Sequence, residues 1–318
     1  MKPEFDEISI LVEAARLYYE HGLSQQQIAH KLKVSRPGVS RLLQTARDHG
    51  IVSIKINDPT GRGTHLEAQL METFGLKKVV VVPDSGEDYQ IIQKRLGQAA
   101  VQLLDELIVD DLTLGVSWGT TMQAFAGQVK RHGAQNMTVV QLNGGISRAE
   151  YDTHASEIAR TIGEKYSAIP YLLPLPAIVD NPAVKQAIIS DKQIAYTLNL
   201  ARQAPVAFFT IGSFGYESVL VKADYFETAE VDNLLADGAV GDICSRIINN
   251  EGKICSVSLD ARTIGIDLEE LKDKSHAVAV AGGKDKLPAI RAGLRGRLFN
   301  TLITDEWIAN QLLQSTNE

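Results

Sequence analysis

Short apolar runs alternate with helical patterns through most of this sequence, and this alternation limits the possible folds more than any other feature. Uninterrupted apolar strands that are separated by helices are typical of a parallel sheet covered on both faces. The sequence therefore predicts an α/β domain over residues 58–318. Its apolar runs occupy residues 78–82, 112–117, 137–142, 205–211, 276–281 and 299–303, and its helical patterns occupy residues 64–74, 88–107, 120–131, 153–165, 183–202, 284–294 and 304–315.

The preceding residues, 1–57, carry a different pattern, which predicts an all-α domain of three short helices. Apolar residues recur with a helical period over the first of these helices, residues 6–21. Ser24 and Gln27, three residues apart, form the capping-box pattern that begins a second helix. Ser35 is the N-cap residue of a third helix, which is predicted to continue to residue 50.

The second and third of these helices carry the pattern of a helix-turn-helix. Ala29 is small, as the position where the two helices cross requires, and Val39 and Leu42 stand at the offsets that bury the third helix. Lys33 occupies the turn position where glycine is more common. Because a left-handed lysine costs roughly 1 kcal/mol or more, we expect a turn of slightly different shape. The pattern favours DNA binding over a plain helical subdomain.

The charge distribution supports a contact between this region and a polyanion. The chain has a net charge of −7, yet residues 24–57 contain six basic residues and one acidic residue. In a helix-turn-helix the third helix enters the major groove with its N-terminus first. A solvated polar face is the alternative for each side chain in this region. The side chains predicted to face bases or phosphates are Ser24, Gln25, Gln26, Ser35, Arg36, Ser40 and Arg41.

Two short segments separate the helical region from the α/β region. Residues 51–56 alternate apolar and polar side chains, which predicts a small wing strand or edge strand. Residues 57–63 concentrate turn formers and predict a linker. We therefore divide the chain into a helix-turn-helix domain, 1–57, and a larger domain, 58–318.

Ligands of α/β sheets bind where strands end and helices begin, so the loops at these points are candidate sites. The loop at residues 115–121 combines small residues with three hydroxyl groups and opens a helix, which is chemistry suited to a phosphate. It lacks the features of a nucleotide P-loop and of the dinucleotide fingerprint. A structural turn with capping hydroxyls is the alternative. The candidate phosphate ligands are Ser117, Gly119, Thr120 and Thr121.

Further candidates lie at the ends of other predicted strands. Asn143 and Gly144 follow the next strand and would face the same crevice, and the loop at residues 210–213 ends a further strand in the same manner. Asp242 can accept hydrogen bonds from sugar hydroxyls, and Lys284, beside two glycines, can neutralise a phosphate. Each alone is more often a cap or a solvated charge. Their common position at strand ends makes them a candidate site.

Several classes of protein are disfavoured by composition. The two cysteines, Cys244 and Cys255, supply neither a disulfide framework nor a set of zinc ligands. The longest apolar stretches are too short to span a bilayer, and the first residues are acidic and lack an apolar signal core. We therefore expect a cytoplasmic protein with no membrane contact, no metal and no cofactor.

In combination, the motifs resemble the SorC family (sorbitol-operon repressor family) of bacterial transcription regulators over nearly the whole chain. The resemblance implies an effector domain with the fold shared by glucosamine-phosphate deaminase and ribose-phosphate isomerase. It also implies a phosphosugar effector, with its phosphate on Ser117, Gly119, Thr120 and Thr121, and a dimer or tetramer that binds operator DNA. The segments that carry the resemblance are 13–19, 24–29 and 39–43 in the DNA-binding region and 115–121, 238–243 and 279–284 in the effector region.

Within the family, segments 115–121, 242–246 and 262–265 are most similar to the deoxyribonucleoside regulators. The resemblance implies a lysine that forms an imine with deoxyribose 5-phosphate, but the matching position here is Asn143. A carboxamide nitrogen is not nucleophilic, because its lone pair is delocalised. We therefore predict a non-covalent effector, with Asn143 donating to or accepting from a sugar hydroxyl.

The sequence thus predicts a repressor of a sugar or deoxyribonucleoside utilisation operon, controlled by a phosphorylated sugar such as deoxyribose 5-phosphate. The alternative is a sugar-phosphate isomerase or deaminase with an accessory DNA-binding domain. Such an enzyme needs an acid and a base in the pocket, and Asp242 is the one carboxylate that a motif supplies. A recombinase or architectural protein would leave the phosphate-type loop unexplained. We expect no catalytic residues.

Overall fold

A computed structural model describes residues 5–48, 51–52, 62–84, 86, 88–147 and 152–314 of the chain. The described helices are α1 Phe5–Ala15, α2 Gln25–Leu32, α3 Arg36–Asp48, α4 Arg62–Phe74, α5 Tyr89–Leu107, α6 Thr120–Ala126, α7 Ala155–Tyr166, α8 Pro182–Ile189, α9 Lys192–Gln203, α10 Val219–Lys222, α11 Thr228–Ala236, α12 Val257–Asp260, α13 Leu268–Lys272, α14 Leu287–Arg295 and α15 Glu306–Gln314. The described strands are β1 Lys78–Val82, β2 Thr113–Val116, β3 Thr138–Gln141, β4 Ile169–Tyr171, β5 Val206–Phe209, β6 Ile211–Ser213, β7 Ala239–Ile243, β8 Arg246–Asn249, β9 His276–Val280 and β10 Thr301–Asp305.

The chain divides into two compact units, Met1–Pro59 and Thr60–Glu318. The boundary between them lies outside the described residues, as do most of the predicted linker and residues 53–56 of the predicted wing strand. Ile51 and Val52 are described and are not in a strand. The predicted linker extends too far, because α4 already begins at Arg62.

The smaller unit contains α1, α2 and α3, with a π-helical turn, Arg16–Glu20, that completes the first predicted helix. Its α2 begins at the predicted capping box: the Ser24 Oγ accepts a hydrogen bond from the Gln27 N–H at 3.3 Å, and the Gln27 side chain accepts from the Ser24 N–H at 2.9 Å. Lys33 adopts the left-handed conformation itself, with φ +54°. The altered turn shape that we expected at this lysine is therefore not observed.

A small apolar core holds these helices together. Its buried members come from all three helices and the π-helical turn, and Ala29 and Leu42 pack against it while only partly buried. Ala29 is thus tolerated at the crossing because it is small. The buried members are Ala14, Leu17, Ile28, Val39 and Leu43.

The larger unit is built on a seven-stranded sheet with the strand order β1-β10-β9-β5-β2-β3-β4. All its neighbouring strands pair in parallel, which confirms the predicted parallel sheet. Its strands are nearly continuous buried apolar runs because helices cover both faces of the sheet, which gives two large apolar cores.

The sequence interpretation missed two features of this sheet. Edge strand β4 has three residues with Pro170 at its centre, and Ile169 is exposed, so it lacks the buried apolar run that marks the other strands. The predicted helix at 183–202 is two helices, α8 and α9. The chain breaks there because the Asp191 side chain accepts hydrogen bonds from two backbone amides of α9 and begins a new helix.

A second, three-stranded antiparallel sheet, β6-β7-β8, was not predicted. The run at 205–211 divides between β5 and β6, and the segment around Asp242, interpreted as a loop, is strand β7. A two-residue turn, Cys244 and Ser245, joins β7 to β8 with φ values of +50° and +67°. Two consecutive left-handed residues are the mark of a type I′ hairpin turn, which matches the twist of the flanking strands.

The strand order reverses between β2 and β5. From β2 the chain proceeds to β3 and β4 on one side and then returns to place β5 on the other side. Two hydrogen bonds join the ends of these strands: the Ser117 N–H donates to the Phe208 carbonyl at 3.0 Å, and the Thr210 N–H donates to the Ser117 Oγ at 3.3 Å. A crevice at such a reversal is where α/β sheets bind ligands.

None of the helices in the described ranges combines the length and the apolar character needed to cross a membrane.

Candidate functional site

A cavity of about 200 Å³ lies at this reversal, between the carboxyl ends of the large sheet and the small sheet. Six residues predicted from the sequence line it together. They are Ser117, Gly119, Thr120, Thr121, Asn143 and Asp242.

The loop between β2 and α6 forms one wall of the cavity. Gly119 directly precedes α6 and has φ +117°, a backbone conformation that residues other than glycine rarely adopt. Ser117 and Thr121 are buried, whereas Thr120 is exposed and its Oγ1 accepts a hydrogen bond from the Gln93 side chain at 2.8 Å. Helix α6 ends at Ala126, earlier than predicted.

Buried polar atoms without partners are concentrated around the cavity. Among the described residues, seven buried side-chain polar atoms have no hydrogen-bond partner, and four of these belong to residues that line this cavity. A buried polar group without a partner costs about 1–3 kcal/mol, so such groups are rare unless a ligand satisfies them. The four atoms are the Tyr89 hydroxyl, the Thr121 Oγ1, the Asn143 Oδ1 and the Thr210 Oγ1.

Asn143 is held from one side only. It is 1% exposed, and its Nδ2 donates to the Ser245 Oγ at 2.8 Å, which leaves its Oδ1 as an acceptor at the cavity. Gly144, predicted with it, does not line the cavity. A side chain there would collide with the backbone of Leu175 and Pro176, and the Gly144 carbonyl accepts from the Trp118 indole N–H at 2.8 Å. Gly144 is therefore a packing residue.

Asp242 supplies a carboxyl group from the small sheet. Its Oδ2 accepts a hydrogen bond from the Ser245 N–H at 3.2 Å, and its carboxyl group lies against Gly212, where any side chain would collide with it. Burial raises the pKa of Asp242 to about 6, and the Ser245 N–H and the Lys286 ammonium oppose this rise in pKa. This carboxyl therefore titrates near neutral pH.

The cation at the cavity is Lys286, not the predicted Lys284. The two lysines stand at opposite ends of a 3-10 turn, Lys284–Lys286, and their side chains diverge. The Lys284 ammonium lies 5.4 Å from the centre of the Trp307 ring, whereas Lys286 lines the cavity, with its ammonium 5.9 Å from the centre of the Tyr89 ring. The sequence located the correct loop and the wrong lysine.

Ser245 and Tyr89 also line the cavity and were not predicted. Ser245 follows Asp242 in the same motif, so a predicted hairpin would have found it. Thr210 follows β5, in the strand-end loop at residues 210–213 that the sequence analysis named. Tyr89 comes from the start of α5, and no sequence pattern indicated that this helix reaches the cavity.

The described residues bring together one group of possible metal ligands, and it does not line the cavity. The His154 Nδ1 lies 3.0 Å from the Glu157 Oε2 and 3.4 Å from the Asp152 Oδ2. Asp152 and Glu157 are exposed. A hydrogen bond between the His154 ring and the Glu157 carboxylate accounts for this arrangement.

In the smaller unit, the predicted DNA-contact residues lie on α2 and α3 or cap them. Six are exposed and Gln25 is half-buried. The hydroxyls of Ser24 and Ser35 already cap helices, since the Ser35 Oγ accepts from the Gly38 N–H at 3.1 Å. The guanidinium groups of Arg36 and Arg41 form no hydrogen bond or ion pair with any described residue. Both guanidinium groups are therefore available to a polyanion.

Comparisons with known proteins agree on one family. The model of the Sugar-bind family, described as a "putative sugar-binding domain", matches residues 58–314. The deoxyribonucleoside regulator of Bacillus subtilis (strain 168) is 39% identical over 302 residues, which cover 95% of this chain and 96% of that protein. The sorbitol operon regulator of Klebsiella pneumoniae is 30% identical over 313 residues, which cover 97% and 99%.

Solved structures give the same result. The crystal structure of the full-length sorbitol operon regulator SorC from Klebsiella pneumoniae has a TM-score of 0.78 and 28% identity, and the match covers 98% of this chain and 100% of that chain. The chain therefore belongs to the SorC family of transcriptional regulators that carry this sugar-binding domain.

Proposed function

We propose that this protein is a repressor of a sugar or deoxyribonucleoside utilisation operon and that a phosphorylated sugar in the cavity controls it. The observation that carries this proposal is the cluster of four unpartnered polar atoms around one small cavity. A ligand rich in hydroxyl and phosphate oxygens satisfies such atoms, whereas an apolar ligand leaves them unpaired. Relatives named as regulators of sorbitol and deoxyribonucleoside use support this class of operon.

The cavity offers two kinds of polar group, which suit the two parts of a sugar phosphate. Hydroxyls from the loop at residues 117–121 are suited to the phosphate, and Lys286, which also acts on the Asp242 carboxyl, supplies a positive charge. Asn143 and Asp242 offer acceptors to sugar hydroxyls. With asparagine at position 143, the effector binds reversibly and without an imine.

DNA binding is assigned to α2 and α3, which form a helix-turn-helix in a domain of residues 1–57. Helix α3 enters the major groove, and Arg36 and Arg41 contact bases or phosphates. Residues 58–318 form the effector and oligomerisation domain. A homodimer or homotetramer fits this assignment, because operators with two-fold symmetry are read by symmetric proteins.

The rival function is a sugar-phosphate isomerase or deaminase. The raised pKa of Asp242 would suit a general base, and this is the observation in its favour. The curated relatives are named as regulators, and we propose no catalytic role. Turnover of pentose or hexosamine phosphates by the purified protein would overturn this part of the proposal.

A panel of phosphosugars tests the proposed function. We expect one of them, at 100 times its dissociation constant, to add about 2.7 kcal/mol of stability in a thermal-shift assay. The same compound should change the gel shift of DNA from upstream of the protein's own gene. If no phosphosugar does either, the proposal fails.

The panel also tests the absence of an imine. After incubation with deoxyribose 5-phosphate and reduction with borohydride, the mass of the protein should be unchanged. A stable adduct would contradict the non-covalent mode.

Effector affinity is expected to depend on pH through Asp242, whose pKa is about 6. The ionised carboxylate accepts a hydrogen bond from a sugar hydroxyl. Below pH 6 the Asp242 carboxyl is mostly protonated and must lose this proton before the effector binds. The dissociation constant should therefore rise about fivefold from pH 6 to pH 5 through this group and change little above pH 7. Phosphate ionises near pH 6 and acts in the same direction, so titration calorimetry of Asp242→Asn is the control. Coincident pH profiles for the two proteins would contradict the role of this carboxylate.

A further inference from the structure

We propose that Arg246 is a positioning residue that orients Asn143 for the sugar end of the effector, an inference that rests on the proposed function. Arg246 is 1% exposed and is the largest fully buried side chain among the described residues. Charged side chains are rarely so buried unless they are paired. It follows Ser245 directly and begins β8, so it lies one residue from the cavity without lining it.

The guanidinium of Arg246 bonds to one segment of the chain, residues 260–267. It forms ion pairs with two carboxylates of this segment and hydrogen bonds with two of its carbonyls. This use of several donors in a planar fork is a geometry that a lysine cannot copy. The acceptors are Asp260, Asp267, the Gly265 carbonyl (3.2 Å) and the Ile266 carbonyl (2.7 Å).

The same segment supports the backbone of Asn143. The Gly144 N–H donates to the Ile264 carbonyl at 3.1 Å, and the Ile266 N–H donates to the Leu142 carbonyl at 2.9 Å. Asn143 lies between these two bonded positions and pairs with the segment in an antiparallel bridge. Segment 260–267, to which Arg246 is bonded, therefore supports the backbone at Asn143.

The side chain of Asn143 is held by the residue next to Arg246. Ser245 accepts from the Asn143 Nδ2 at 2.8 Å, and this contact leaves the Asn143 Oδ1 free for the effector. Arg246 is thus connected to both supports of Asn143. It bonds to segment 260–267, which supports the Asn143 backbone, and it is adjacent in the chain to Ser245, which holds the Asn143 side chain. Loss of this link would let the carboxamide turn away from the sugar.

The test variant is Arg246→Lys, which keeps the positive charge and loses the planar guanidinium with its several donors. In titration calorimetry we expect affinity for inorganic phosphate to stay within about twofold, while the preference for deoxyribose 5-phosphate over phosphate falls about tenfold. The matched control is Arg291→Lys, because Arg291 is a half-buried arginine of α14, lies outside segment 260–267 and donates to the Gln311 carbonyl at 2.9 Å. The control should change neither quantity.

A second readout needs no ligand. The side-chain amide resonances of Asn143, assigned with Asn143→Asp, should form one sharp pair in the wild-type protein and in the Arg291→Lys control. In Arg246→Lys they should shift or broaden, because the contact with Ser245 loosens. Should Arg246→Lys fail to fold, Asp260→Asn removes one partner of the fork and is expected to disturb the same resonances.

The two readouts separate this inference from the proposed function. Unchanged Asn143 resonances in both Arg246→Lys and Asp260→Asn would overturn the positioning role, whatever the ligand does. If those resonances respond but the wild-type protein binds no phosphosugar, the positioning role stands and the proposed function fails.

Discussion

Replacing Thr121 with valine is expected to stabilise the protein and to weaken phosphosugar binding about 10- to 100-fold. The Thr121 Oγ1 is buried and has no hydrogen-bond partner, so valine, which has the same shape, removes a desolvated hydroxyl at little steric cost. We expect the ligand-free protein to gain about 1 kcal/mol or more. The lost contact is a hydrogen bond to a charged phosphate, worth about 1.5–3 kcal/mol. Thermal unfolding without ligand and titration calorimetry measure the two effects.

Thr304→Val is the matched control for this prediction. Thr304 in β10 is fully buried, its Oγ1 also lacks a partner, and it does not line the cavity. This variant should gain stability and keep full affinity. Thr120 is exposed and bonded to Gln93, so Thr120→Ala alone should have a smaller effect, whereas Thr120→Ala with Thr121→Ala should abolish the effector response and retain DNA binding. Wild-type affinity in Thr121→Val would refute a phosphate at this wall.

Arg41→Ala is expected to weaken operator binding at least about tenfold and to leave phosphosugar affinity unchanged. Arg41 is exposed on α3, and its guanidinium forms no hydrogen bond or ion pair with the described part of the chain. A contact with a base or a phosphate is worth about 1–3 kcal/mol, and a symmetric operator would lose it in each half. Gel shifts at several salt concentrations measure the loss and show which contact it is. Loss of a phosphate contact lowers the salt dependence by about 0.9 per site, whereas loss of a base contact relaxes sequence preference.

Arg47→Ala is the control, since it removes the same charge from α3. Arg47 is exposed and lies six residues beyond Arg41, about 9 Å along the helix, and its guanidinium donates to the Gln44 side chain at 2.7 Å. Equal losses from the two variants would mean that net charge, and not docking of the N-terminal half of α3, governs DNA binding. A fall in phosphosugar affinity in Arg41→Ala would contradict the separation of the two sites.

The parallel sheet could be predicted because its central strands are buried on both faces and leave continuous apolar runs. The small sheet could not, since β6 to β8 are short and include glycines that resemble turn formers. At Gly212 the glycine is present because the Asp242 carboxyl lies against it. Local sequence does not reveal such a close approach between distant residues.

The same limit applies to the site. Residues in the loops that follow parallel strands, such as Ser117 and Asn143, could be placed at the cavity because strand direction fixes where they lie. Tyr89 and Lys286 depend on how a helix and a 3-10 turn pack against the sheet. A hydrophobic pattern predicts that such elements pack against the sheet. It does not predict which of their side chains will face the cavity.

The cavity walls belong to two different sheets: Thr121 and Asn143 follow strands of the parallel one, and Asp242 lies on the antiparallel one. A molecule that bonds to both walls adds a removable cross-link to the direct contact between Asn143 and Ser245. Its binding therefore stiffens the unit as well as filling it, and stiffness is a property that distant parts of a protein can sense. A compound that reaches only one wall would occupy the cavity and carry no signal.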